Sequence, residues 1–148
     1  MKVSAAFPGL VLNRLPEPSE IEHLFREGYP SQWTEDAIIN VYLDNRESRS
    51  LSIIASVELG FWLWHRVASG ASGEMNAISC GSRSGLNEQV PLGEDTLTLK
   101  GLFIEPSMAF NAVLDFVSSE GQRSPRIDWI TPDEIPEGYQ WLISEDCV

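Results

Sequence analysis

The chain carries only two cysteines, two histidines and two lysines in 148 residues, and each scarcity excludes something. Cys80 and the penultimate Cys147 are too few for a disulfide framework and too isolated for a metal site. A reduced, cytoplasmic setting is the expectation, with Cys147 exposed at the chain end. His23 and His65 are the only imidazoles available to orient a nucleophile. His23 sits beside Glu22 and Glu27 on a surface-like helix, and His65 follows an aromatic strand. There is no His-Glu-x-x-His, no cysteine pair and no EF-hand loop, so neither a metal nor a cofactor is expected. A zinc deaminase is excluded as well, because no His-x-Glu precedes a Pro-Cys-x-x-Cys. Nowhere do eighteen apolar residues run together, and Pro8, Gly9 and Arg14 interrupt the N-terminal apolar run without a cleavage site, so neither a membrane span nor a signal peptide is expected.

Basic charge is the most telling shortage. Ten Lys and Arg face 22 Asp and Glu, a net charge of −12, with an isoelectric point near 4.4 and no basic side chain after Arg126. A field of that sign repels phosphate backbones, which argues against nucleic acid as a partner, and attracts basic proteins. Plain solubility accounts for the same charge.

What remains is an ordinary globular composition, 43% hydrophobic and 22% charged. A chain of this length buries roughly 68–70% of its unfolded surface, enough for one self-sufficient domain spanning 1–148. Residues 1 to 15 read as a strand or extended lead-in. A helix is expected after Pro16-Glu17-Pro18, with Ser19 as N-cap, Ile21, Leu24 and Phe25 buried and Gly28 as the stop. Ala37, Ile39, Val41 and Leu43 alternate with polar residues, as do Leu51, Ile53, Ala55, Val57 and Leu59; joined by a charged turn over Asn45 to Ser50, they predict an antiparallel hairpin. Phe61 to Val67 is apolar on both faces. Glu74 to Ser79 and Thr96 to Ile104 read as further strands. Short turns link the strands, so the expected class is α+β, a mainly antiparallel sheet with two helices packed on it.

The second helix belongs to a strand–helix–strand unit from Phe103 to Trp129. Pro106 closes a strand, Ser107 stands at the N-cap, and Phe110, Val113, Leu114 and Val117 form the stripe, widened by Met108, Ala112 and Phe116. Gly121 ends the helix, Pro125 blocks its restart, and Ile127 to Ile130 resumes as a strand.

This unit resembles the bacterial polymorphic-toxin immunity proteins, specifically the immunity family numbered one. The residues that carry the likeness are Glu105-Pro106, Ala112 with Phe116, Gly121, Pro125 and Trp129, about a quarter of the chain. Gly60-Phe61-Trp62-Leu63-Trp64 is a looser second match. The resemblance implies a small α+β domain whose partner is a toxin domain, often a nucleic-acid deaminase or nuclease.

Candidate chemistry from single motifs is thin. Gly81-Ser-Arg-Ser-Gly85 lacks the Lys-Ser/Thr and the strand–helix setting of a phosphate loop, and Asp133-Glu134 or Glu94-Asp95 are adjacent loop carboxylates that point apart into water. An enzyme is therefore not expected. Trp62 and Trp64 share one strand face, which either the rest of the chain or a partner must cover; packing is the commoner use. With the acidic loops they give the candidate toxin-binding set Asp44, Glu47, Trp62, Trp64, Glu94 and Asp95. The expected function is an immunity protein that blocks a basic toxin's active site or substrate entry. The alternatives are an adaptor or secretion chaperone that holds an effector without silencing it, and a small-ligand-binding domain, which a pocket lined by His65 and carboxylates would favour.

Overall fold

In the computed structural model, residues 1–43, 46–70, 73–92 and 96–143 are described. Their strands are β1 (Lys2–Phe7), β2 (Leu10–Leu12), β3 (Ala37–Tyr42), β4 (Glu47–Ser56), β5 (Gly60–Ser69), β6 (Gly73–Ser79), β7 (Gln89–Pro91), β8 (Leu97–Leu99) and β9 (Trp129–Ile130). Seven of them form one antiparallel sheet in the order β2-β1-β3-β4-β5-β6-β9, and β7 with β8 makes a separate small ribbon. The helices are α1 (Pro18–Glu22), which runs on as a π-helical turn over His23–Glu27, and α2 (Pro106–Ser118). The expected α+β class, with a mainly antiparallel sheet and two helices, holds.

The period-two pattern places the core. Ala37, Ile39 and Val41 of β3 and Leu51 and Ile53 of β4 turn inward, joined by Phe61 and Leu63 of β5. Onto this face pack Ile21, Leu24 and Phe25 from the first helix and Ala109, Ala112, Val113 and Phe116 from α2. Phe25, Tyr29 and Trp33 each stand 4.8–5.3 Å from a neighbouring ring, and all three converge on Phe61. Fully burying a side chain such as Phe61 contributes about 1.5–3 kcal/mol.

The opposite face of β5 explains its unbroken apolar run. Trp62 and Trp64, with Ile54 and Ile78, are covered by Leu86, Leu99, Leu102, Phe103, Ile130, Ile135 and Leu142. The sheet is thus sandwiched between helices on one side and irregular chain on the other, over its β4–β6 half.

Several local expectations change. Each helix starts two residues earlier than the serines imply: Glu17 and Glu105 are the N-caps, with Pro18 and Pro106 in the first turn, where a missing N–H costs nothing. Glu17 and Glu20 complete a reciprocal capping box. The buried face of α2 is turned toward Ala109 and Ala112, leaving Phe110, Leu114 and Val117 partly buried and Met108 exposed. β4 begins at Glu47, inside the segment expected to be a turn, and ends at Ser56, so Val57 lies in the β4–β5 turn and is 69% exposed. The stretch expected as one strand to Ile104 is split. Leu97–Leu99 pairs with β7, a 3-10 turn follows over Lys100–Leu102, and Ile104 bridges Phe61. Gly101 permits this turn, because a Cβ there would collide with the Ser82 carbonyl and the Gly85 backbone. The last strand shrinks to Trp129–Ile130, since Pro132 turns the chain into another 3-10 segment.

Candidate partner-binding site

Of the six candidate residues, Asp44, Glu94 and Asp95 lie outside the described residues. Glu47 opens β4, and its carboxylate is held by Arg49 at 2.8 Å. Trp62 and Trp64 are 2% and 8% exposed, so the chain itself covers the face they share and neither presents a surface in this conformation. Their rings lie 6.0 Å apart. The Trp64 indole N–H donates to Asn76 Oδ1 at 2.7 Å, whereas the buried Trp62 N–H has no acceptor among the described residues. The three described candidates do not form one exposed patch.

Side-chain hydrogen bonds tie α2 to the segment that follows it. Asp115 on α2 accepts from Ser124 Oγ at 2.6 Å and from Arg126 Nε and a terminal nitrogen, both at 2.8 Å. That pairing with Arg126 holds its carboxyl below the ordinary carboxylate value. The Trp129 indole N–H donates to the Ser124 carbonyl at 2.8 Å. Gly121, at φ +105°, turns its carbonyl to accept from His65 Nε2 at 2.8 Å. The clasp fastens α2 to the sheet edge, a structural task.

His65 is 4% exposed, with Phe116 and Trp129 edge-on to its ring. Burial pushes its pKa below the ordinary value, against the Gly121 hydrogen bond, so the ring is neutral with Nδ1 left as an acceptor. It lines a groove of about 440 Å³ together with Glu74, Asp133 and Arg123. His23, paired with Glu27 at 2.7 Å, lines a second groove of about 690 Å³ between the β1–β2 turn and the first helix. Among the described residues no group of three His, Cys, Asp or Glu side chains could hold a metal ion. No described helix is long and apolar enough to cross a membrane.

The distribution of charge is more informative than any single group. Seven of the ten basic side chains are committed to internal ion pairs: Arg14–Glu20, Arg26–Glu22, Arg49–Glu47, Arg66–Glu74, Lys100–Glu88, Arg83–Glu134 and Arg126–Asp115. Nine described acids lie outside these pairs and the His23–Glu27 pair, and four of them share one end of the sheet. Glu35 and Asp36 precede β3, Glu58 sits in the β4–β5 turn, and Glu105 caps α2 next to Gly60. None of these four has an ion-pair partner among the described residues. Asp36 turns its carboxyl onto the β4 backbone; exclusion of water raises its pKa, the Ala55 N–H opposes that, and the charge of Glu35 adds to the rise. The same end of the sheet carries exposed Val57 and a groove of about 430 Å³ lined by Ala55, Ser56, Val57, Glu58, Pro91 and Leu92. Leu92 donates to the Thr96 carbonyl at 2.7 Å, beside the paired β7 and β8. Sequence reading placed the acidic candidates elsewhere, at Asp44, Glu47, Glu94 and Asp95, and did not single out Glu35, Asp36, Glu58 or Glu105 for binding. Val57 was missed because alternation placed it inward; its turn position was the available signal.

No protein-family model matches this sequence, and comparison with curated proteins and with solved structures returns no match.

Proposed function

We propose that the protein is an immunity protein, a non-catalytic cytoplasmic inhibitor that binds a basic toxin domain, of the deaminase or nuclease kind, and blocks its active site or substrate entry. The observation that carries this reading is the uncompensated negative charge at one end of the sheet, left over after internal pairing has consumed most of the basic side chains. Toxins that act on nucleic acid need a basic substrate groove, and an acidic surface of this kind is complementary to one. The likeness of Phe103–Trp129 to the immunity family supports the same conclusion. Co-expression with the cognate toxin domain this reading requires, sought among the neighbouring genes, should restore growth and yield a stoichiometric complex; absence of both protection and complex would overturn it. An adaptor or chaperone would also form the complex but leave the toxin active.

A second reading, a small-ligand-binding domain, is favoured by the groove at His65, where a neutral imidazole, two carboxylates and Arg123 line one space. A ligand there would shift the His65 ring resonances on titration while leaving toxin binding intact.

A further inference from the structure

The groove at the acidic end combines two features that select different parts of one partner. Its wall is apolar, from Ala55, Val57, Pro91 and Leu92, and Leu92 is itself packed on the buried cluster around Trp62. Negative charge stands at the same end: Glu58 within the groove, Asp36 bonded to the Ala55 backbone with Glu35 before it, and Glu105 beside Gly60. The seven internal ion pairs place no basic group against these four carboxylates. An exposed valine beside a concave apolar wall would gain from covering, and the uncompensated charge admits a cation without displacing one already bound.

We propose that this groove receives an apolar side chain from an exposed segment of a basic protein, with the flanking lysines or arginines of that segment set against Glu58, Glu35 and Glu105. The inference rests on the immunity reading and names the face through which the toxin is held. The buried cluster that holds Trp62 and Trp64 then acts from beneath, as the support on which Leu92 rests. An arginine-rich segment suits these carboxylates better than a lysine-rich one, because the guanidinium fork pairs with a carboxylate through two parallel bonds.

The test uses the full chain and a blocked Arg-Leu-Arg peptide as the probe, followed by amide NMR. The expected shifts fall on Glu35, Asp36, the Ala55–Gly60 turn, Leu92 and Glu105, and a blocked Glu-Leu-Glu peptide produces none. Glu58→Lys should weaken peptide binding about fivefold, the order of one exposed charge pair, and Val57→Ser should weaken it independently, with unchanged melting temperatures. Shifts centred instead on Glu17, Glu22 or Asp128, or affinity unaffected by Glu58→Lys, would overturn the proposal. Capture of the cognate toxin domain separates this inference from the reading beneath it. If the native chain and Glu58→Lys/Val57→Ser capture the toxin equally, the face is wrong and the immunity reading stands. If the native chain captures none, both fall.

Discussion

The two strand tryptophans show how far one side chain can be read. Their placement on a common face follows from strand alternation alone, but whether chain or partner covers them depends on residues 86–103 and 130–142, which alternation does not reach. Their hydrogen bonds differ, and so should the cost of removing them. Trp64→Phe leaves Asn76 Oδ1 without its 2.7 Å donor, while Trp62→Phe removes an N–H that has no acceptor among the described residues. Trp64→Phe should therefore destabilise more, by about 1 kcal/mol, as read by denaturant unfolding of the two variants. His65 supplies a pH dependence. Its folded pKa lies below the ordinary 6.5, chiefly through burial, so the unfolded chain binds the proton more readily. Its contribution to stability is complete above pH 6.5 and is lost as pH falls from there through the lowered folded value. The melting temperature of the native chain should begin to drop as pH falls below 6.5, and His65→Gln should flatten the drop.

At the scale of elements, the sequence announces what a repeated pattern encodes and hides what a single contact decides. The inward faces of β3 and β4 and the buried stripe of the first helix were legible, because many residues carry the same period. The helix caps were each misread by two positions, since a serine and an acid-proline pair are both good starts and only the backbone chooses. The Thr96–Ile104 stretch was read as one strand, yet contacts of Gly101 with distant Ser82 and Gly85 break it. The clasp from α2 to β9 is the element whose removal should be most visible. Ser124 is 2% exposed, donates to Asp115 at 2.6 Å and accepts from the Arg126 N–H at 3.1 Å. Ser124→Ala should cost about 1–2 kcal/mol. Faster amide exchange around Gly121–Trp129 should accompany it, with β3 and β4 unchanged; uniform loss across the sheet would contradict a local clasp.

For the whole molecule, charge is the property the sequence states most clearly, and its arrangement is the property it conceals. The total of −12 is countable. That Glu35, Asp36, Glu58 and Glu105 meet at one end, 70 residues apart along the chain, is a consequence of the β4–β5 turn and the α2 cap arriving at the same edge. Grouping of this kind makes association fast at low salt and progressively slower as ions screen it, with the screening length near 8 Å at about 0.15 M. Inhibition is the claim on which the rest depends, and titration of a fixed amount of a basic, nucleic-acid-cleaving or -deaminating toxin domain that this protein captures measures it most directly, by the toxin's own turnover of nucleic acid. The account predicts that activity falls linearly to zero at one equivalent; a complex that forms while the toxin keeps its full activity would contradict it.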